Sequence, residues 1–158
     1  MTRWHSCRLL PEDNMPSEIR FVEGAIRPDE IAKLIAGQSD NTGLGAHALF
    51  AGQVRADVHD NGSIRYIDFS AYIQMAEKVF RDICRNTNAK FKVRDIHILH
   101  STGKVNAGEI CFVAMVSGIH RQDAFDALRF VVEEVKARVP VFGKEVGANE
   151  MVRWKQNT

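Results

Sequence analysis

The chain has 158 residues, of which 45% are hydrophobic and 26% are charged, a composition typical of soluble globular proteins. This length fits one compact domain better than two. Twenty-one Lys and Arg residues against twenty Asp and Glu residues give a formal net charge of +1, which argues against a broad nucleic-acid-binding surface. No window approaches the run of about 18 apolar residues that marks a membrane span, so we expect no membrane segment.

The cysteines and the N-terminal segment indicate a cytoplasmic protein. Cys7, Cys84 and Cys111 are far apart, form no CxxC motif and are odd in number, so neither a disulfide framework nor a Cys-rich zinc site is predicted. The N-terminus has no apolar stretch of signal-peptide length. We expect residues 1–15 to be a disordered tail, with Met15 as a candidate native start, and residues 16–158 to form a single domain.

The first half of the chain predicts strands around one helix. A strand is predicted over residues 17–26, followed by a helix that begins at Pro28 and ends at Gly37. Residues 45–55 are apolar and rich in small residues, and we predict that they form a strand. The turn signal at residues 60–62 predicts that this strand forms a hairpin with the strand that follows it.

The second half predicts two more helices and two further main strands. From Ile73 apolar residues recur every three or four positions, which indicates an amphipathic helix to about Asn86. Strands are predicted over residues 92–100 and 109–118, and the second is apolar on both faces, as expected for a central strand. A third helix is closed by Pro140, and short strands finish the chain. Together these elements predict an α+β fold with a largely antiparallel sheet and three main helices.

His97 and His100 form the most tempting metal-binding pair. In a strand, however, an odd offset directs the two imidazoles to opposite faces, so we do not predict a metal site and expect one packed and one exposed histidine. A Ser-His-Asp triad stays open from sequence, although GxSxG, P-loop and GxGxxG motifs are all absent from the 158 residues.

Basic residues at the ends of elements are the remaining candidates for chemistry. His120 and Arg121 begin the third helix, where free N–H groups favour a phosphate or carboxylate; the alternative is a solvated helix start. Lys136 is either a partly buried amine with a lowered pKa or a snorkelling residue that caps the helix, and periodicity alone favours the second. The residues predict an anion site with a candidate amine catalyst, and Arg55 and Lys144 are further basic candidates.

Five strings in order, spanning roughly residues 17–155, resemble one family, the large, catalytic subunit of molybdopterin synthase. They are FAGQVR at 50–55, AYIQMAEK at 71–78, HSTGKVNAGE at 100–109, SGIHRQDAFDAL at 117–128 and KARVPVFGKE at 136–145. Each string is short and is weak by itself. Their order and compatible spacing make the resemblance specific.

The resemblance implies sulfur transfer in molybdenum cofactor biosynthesis. A small ubiquitin-like subunit would insert its C-terminal Gly-Gly thiocarboxylate and deliver sulfur to cyclic pyranopterin monophosphate, building the molybdopterin dithiolene in two transfers. The fold implied is an α/β hammerhead with an added small β subdomain. The assembly implied is a cytoplasmic heterotetramer, a homodimer flanked by two small subunits. No cofactor, metal, nucleic acid or membrane is implied.

Site residues carry over by their match to the strings. Lys136 matches the lysine of the family's K-x-x-x-P motif and is the leading catalytic residue, as a general acid or base or as a cation beside the thiocarboxylate. Arg55, His120 and Arg121 match basic residues suited to the substrate's phosphate. Phe50 matches an aromatic residue near the pocket.

The chain departs from the family after Pro140. The family commonly has Trp-Lys-Lys or Trp-Lys-Arg there, whereas this chain has Phe142-Gly143-Lys144. Either Lys144 takes the missing lysine's catalytic role by a one-residue shift, or it matches the second basic residue and only binds an anion, or activity is reduced. We favour the first interpretation, which needs a bulge at Gly143 and would tolerate Gly143→Lys. A non-catalytic module that binds a phosphate-bearing ligand or a partner's tail is the alternative function.

Overall fold

The computed structural model describes residues 17–59, 62–149 and 152–155. Within these ranges eight strands and three helices follow one another along the chain. The strands are β1 (Glu18–Glu23), β2 (Ala46–Gln53), β3 (Val58–His59), β4 (Gly62–Ala71), β5 (Val93–Asn106), β6 (Ile110–Gly118), β7 (Val141–Gly147) and β8 (Val152–Trp154). The helices are α1 (Pro28–Ala36), α2 (Ile73–Lys90) and α3 (Arg121–Arg138). The prediction of a disordered tail over residues 1–15 lies outside the described residues.

The strands form one mixed sheet in the order β2-β6-β5-β4-β7-β8, with β1 beside β5 and β3 beside β4. The β1–β5 pair is parallel, and the other pairs in the described part of the chain are antiparallel. Strand β6 is central and almost wholly buried, as its apolar sequence predicts. The prediction of an α+β fold with a largely antiparallel sheet and three main helices is confirmed.

The prediction that the strand at residues 45–55 forms a hairpin with the strand after it is wrong. Strand β2 pairs with β6, Phe50 lying opposite Ala114, and only the two-residue β3 forms a hairpin with β4, Val58 lying opposite Ser63. The turn signal is local and acts on the residues that flank it, whereas β2 takes its place from apolar contacts with distant residues. Its Ala48 is 4% exposed, and burial of that kind outweighs a local turn preference.

The sheet separates two apolar clusters because successive strand residues point to opposite faces. On one face α2 and α3 bury Phe80, Ile83 and Val131 against Ile98. On the other face α1 packs on a smaller cluster that includes Leu99. None of the helices in the described ranges is both long and apolar enough to cross a membrane.

Candidate functional site

A cavity of about 540 Å³ opens where the end of β2 meets the last turn of α3 and the start of β7. Its inner wall is apolar and includes Phe69, Phe112 and Val135, and three basic side chains border it, those of Arg55, Lys136 and Lys155. Among the described residues, no Asp or Glu lines the cavity. The arrangement favours a ligand with negative charge and an apolar or backbone-like portion.

Lys136 reaches the cavity from the end of α3. It follows Val135, whose side chain is buried in the core, and the helix ends two residues later because Pro140 cannot continue it. The ammonium nitrogen of Lys136 lies 5.6 Å from the centroid of the Phe50 ring, a cation–π contact across to β2. The side chain is exposed rather than partly buried, so its position at the cavity, not desolvation, makes it a candidate for chemistry.

Arg55 lies at the mouth of the cavity, just past the end of β2. Its guanidinium is 3.0 Å from the carboxylate of Asp57, and both side chains are largely exposed. An exposed ion pair of this kind is weak, so it leaves the guanidinium able to exchange Asp57 for an anionic ligand. The structure thus brings together three of the predicted site residues, Phe50, Arg55 and Lys136.

His120 and Arg121 are not at this cavity. His120 is the N-cap of α3 and Arg121 its first residue, and both are exposed. At about 1.5 Å per residue, the fifteen positions from Arg121 to Lys136 span about 22 Å of helix. Within one chain the predicted phosphate-binding pair and the predicted catalytic lysine therefore do not meet.

Lys144 and Gly143 point to opposite faces of β7. The strand pairs with β4 in unbroken register from Val141 opposite Ala71 to Glu145 opposite Ile67. The bulge that would turn Lys144 into the cavity is therefore not present, because pairing with β4 enforces alternation of the side chains. Gly143 is buried and lines the cavity.

Lys144 has a different set of neighbours. Its backbone pairs with Asp68 on β4 and Trp154 on β8, and its ammonium nitrogen lies 5.0 Å from the Trp154 ring centroid. It does not line the cavity. A second, outer hollow of about 450 Å³ adjoins the cavity, and its rim includes the exposed rings of Phe142 and Trp154.

His100 lines the cavity although the sequence did not single it out as a site residue. Its ring packs among those of Phe21, Phe69 and Phe112. Burial lowers the pKa of His100 to about 4, so the imidazole is neutral at pH 7. Because Nδ1 is 2.9 Å from the Ser101 carbonyl oxygen, which can only accept, Nδ1 carries the proton and Nε2 is an acceptor.

His97 lies on the other face of β5, where its Nε2 is 3.0 Å from the Gln38 amide nitrogen. The two histidines have separate surroundings, as strand alternation predicts. The expectation that one is exposed is wrong, since both are half-buried. The signal for His100 in the sequence is strand alternation, which places it on the same face as the core residues Ile96 and Ile98.

Cys111 lies in the cavity wall as a thiol. Burial raises its pKa, and the Sγ hydrogen points to the Gly52 carbonyl oxygen at 3.6 Å. A buried thiol of raised pKa is a poor nucleophile at neutral pH.

A serine, a histidine and an aspartate do meet on the sheet, away from the cavity. His47 Nδ1 is 2.8 Å from Ser117 Oγ, and Ser117 pairs with His47 on β2 and with Asp95 on β5. The serine thus lies between the other two residues and is fully buried. A catalytic triad needs an accessible serine and a histidine placed between serine and aspartate, so this cluster does not have that geometry.

The family model described as MoaE protein matches residues 21–138. The molybdopterin synthase catalytic subunit of Bos taurus is 30% identical over 92% of this chain and 75% of its own length. That of Arabidopsis thaliana is 34% identical over 72% of this chain and 57% of its own length.

Solved structures agree with these matches. The crystal structure of molybdopterin synthase from Staphylococcus aureus is similar with a TM-score of 0.74 and 28% identity, over 86% of this chain and 95% of that one. In a complex of subunits 1 and 2 of the molybdopterin-converting factor from Helicobacter pylori, the matching chain has a TM-score of 0.73 and 22% identity, over 87% and 90% of the two chains, which shows the shared fold. The chain therefore belongs to the MoaE protein family, that of the molybdopterin synthase catalytic subunits.

Proposed function

We propose that this chain is the catalytic subunit of a molybdopterin synthase and acts as a sulfurtransferase. It takes sulfur from the C-terminal thiocarboxylate of a small ubiquitin-like subunit and delivers it to cyclic pyranopterin monophosphate, so that two transfers build the dithiolene of molybdopterin. The observation that carries this proposal is the convergence of Lys136, Arg55 and Phe50 on one cavity, in a chain of this family.

The cavity suits the end of an extended peptide tail. A Gly-Gly terminus has no side chains, so it can lie along the apolar wall formed by residues such as Phe112 and Val139. The outer hollow, with Phe142 and Trp154 at its rim, offers a path for the tail from the surface to Lys136. Both the thiocarboxylate and the substrate's phosphate are anions, and the charged side chains that border the cavity are cations.

The reaction needs positive charge beside the acyl carbon of the tail. When the thiocarboxylate sulfur bonds to a substrate carbon, a carbon–oxygen bond at that carbon breaks and the oxygen leaves with the electron pair, so that the tail becomes joined to the substrate as a thioester. Water then adds to the acyl carbon, the carbon–sulfur bond breaks with its electron pair on sulfur, and the tail leaves as a carboxylate. Negative charge grows on the acyl oxygen as water adds, and an ammonium group there stabilises it. We assign that role, and the associated proton transfer, to Lys136.

The sulfur comes from the partner and not from a cysteine of this chain. Of the cysteines in the described ranges, Cys111 lines the cavity. Because burial raises the pKa of its thiol, it stays protonated at neutral pH and does not compete as a nucleophile. The neutral imidazole of His100 adds no positive charge, so anion binding depends on the lysines and Arg55.

We assign His120 and Arg121 to the substrate's phosphate, but in the cavity of a second protomer. About 22 Å of helix separates Arg121 from Lys136 in one chain, too far for one small substrate to touch both. In the homodimer that the sequence resemblance implies, we therefore place the start of α3 of one protomer beside the other protomer's cavity.

Reconstitution tests the proposal. Purified protein, thiocarboxylated small subunit and cyclic pyranopterin monophosphate are expected to yield molybdopterin. The competing function, a module that binds the tail without chemistry, is kept open by Gly143, which leaves one position of the cavity wall without a side chain. Normal binding of the small subunit with no molybdopterin formed is the outcome that favours the binding module.

A further inference from the structure

We propose that Lys155, which follows β8, supplies the second ammonium group of the cavity and binds an anionic group of the reactants opposite Lys136. The inference rests on the proposed function and adds a substrate-binding residue to it. Lys155 lies near the end of the chain, beyond the region that the family model matches, and no periodicity in the sequence points to it.

The register of β8 on β7 directs Lys155 into the cavity. Val152 lies opposite Val146, and Trp154 lies opposite Lys144. One residue further on, the backbone N–H of Lys155 donates a 2.8 Å hydrogen bond to the carbonyl oxygen of Gly143. Residues opposite each other in an antiparallel pair share a face of the sheet. Lys155 therefore shares the cavity face with Gly143, while Trp154 shares the outer face with Lys144.

Gly143 and Lys155 are direct neighbours on the cavity face. A Cβ atom at Gly143 would lie 3.5 Å from the Cβ of Lys155, in van der Waals contact. Both residues line the cavity, and of the two only Lys155 carries a side chain. Position 143 of β7 therefore has no amine, and Lys155, which lies opposite it after β8, supplies one to the same cavity.

The positive charge of Lys155 lowers the pKa values of two groups in the cavity wall, His100 and Cys111. Burial is the main cause of the lowered pKa of His100, and the positive charge of Lys155 lowers it further. Burial raises the pKa of the Cys111 thiol, and the same charge opposes that rise. Both groups line the cavity, so an anion held there would lie within range of the Lys155 ammonium group.

The ligand chemistry is an anionic group with sulfur or oxygen atoms, found both in the thiocarboxylate of the tail and in the phosphate of the substrate. An ammonium group can bind either through a charge-assisted hydrogen bond. If Lys155 binds the thiocarboxylate, loss of its charge weakens binding of the small subunit; if it binds the phosphate, that loss weakens binding of the substrate. Steady-state kinetics with the concentration of each reactant varied in turn distinguishes these two cases.

The test uses the reconstituted reaction with Lys155→Met, which keeps the aliphatic stem and removes the charge, and Lys155→Arg, which keeps the charge. A charged hydrogen bond predicts that Lys155→Met loses about tenfold or more in kcat/KM, with KM raised for the reactant that Lys155 holds. Lys155→Arg should recover most of the loss. Lys90→Met is the matched control, because Lys90 lies 4.2 Å from the Phe130 ring centroid and does not line the cavity.

The Lys144→Met variant tests the competing assignment, in which Lys144 and not Lys155 supplies the second amine. If Lys144→Met shows the large loss and Lys155→Met matches the Lys90 control, the assignment of Lys155 is overturned. If wild-type protein forms no molybdopterin, the proposed function is contradicted, and this result says nothing about Lys155. Calorimetric titration of the small subunit and of the substrate then tests Lys155 alone, and unchanged affinities of both reactants for Lys155→Met overturn it.

Discussion

The ammonium nitrogen of Lys136 lies 5.6 Å from the centroid of the Phe50 ring. This contact joins the last turn of α3 to the edge strand β2 across the cavity, and it restricts where the amine of an exposed lysine can be. The position of the catalytic candidate thus depends on an aromatic residue that is distant in sequence.

Phe50→Leu should therefore impair the reaction without removing any charge. Leucine keeps an apolar side chain but has no ring face, so the cation–π contact with Lys136 is lost. A cation–π contact of about 0.5–2 kcal/mol predicts that kcat/KM falls about two- to thirtyfold. Phe130→Leu is the control, since it removes the ring beside Lys90, away from the cavity. Equal activities for the two variants would show that the ring contact does not position Lys136.

Substitution of Gly143 should destabilise the fold. A Cβ atom there would lie 2.9 Å from Ile67 Cγ2 and 3.3 Å from Phe69 Cε1, inside the core. We expect Gly143→Ala and Gly143→Lys each to lower the free energy of unfolding by about 1–3 kcal/mol, measured by urea denaturation. Because the clash begins at Cβ, the two losses should be similar. A fully stable Gly143→Lys would support the tolerance predicted from sequence instead.

His100 should make the fold less stable in mild acid. Its pKa is about 4 in the folded protein against an ordinary value of 6.5 for histidine, so between these pH values the unfolded chain binds the proton more readily. The free energy of unfolding therefore falls as pH drops from about 6.5 to about 4, by up to about 3 kcal/mol from this residue. Urea denaturation at pH 7 and at pH 5 measures this fall in the free energy of unfolding. The His100→Gln variant should show a smaller loss, and an identical loss would mean that His100 is not the titrating group.

Mixed dimers test whether α3 of one protomer serves the other's cavity. Lys136→Ala and Arg121→Ala subunits should each be nearly inactive alone, but a reassembled mixture contains dimers with one intact site. Random pairing predicts about a quarter of wild-type turnover. A mixture no more active than its two parents would mean that Arg121 and Lys136 of one site come from the same protomer, or that Arg121 belongs to no site.

Much of the fold could be predicted because its signals are local. Apolar periodicity identified α2 from Ile73, and the continuous apolar run identified β6 as central. The partner of β2 could not be predicted, since pairing Phe50 with Ala114 depends on contacts between residues far apart in sequence. The extension of α2 to Lys90 was also missed; the buried Thr87, whose hydroxyl donates to the Ile83 carbonyl oxygen, belongs to its last turns.

Only part of the candidate site could be predicted, because some of its residues have local sequence signals and others are placed by strand pairing. Phe50, Arg55 and Lys136 occur in strings typical of the family, and the structure gathers them at one cavity. Lys155 had no such signal, because its direction is set by the register of β8, a strand of three residues. Lys144 was favoured for the cavity because a glycine permits a bulge, but regular pairing with β4 overrides that freedom.

The most direct test of the account is a single-turnover reconstitution with Lys136→Ala beside the Lys90→Ala control. Thiocarboxylated small subunit and cyclic pyranopterin monophosphate are supplied, and molybdopterin formed is measured together with the affinity for the small subunit. The loss of a cation at the acyl oxygen predicts a rate about 100-fold or more below wild type, with small-subunit affinity little changed. Wild-type protein that forms molybdopterin, with Lys136→Ala forming it at the rate of the control, would contradict the role assigned to Lys136.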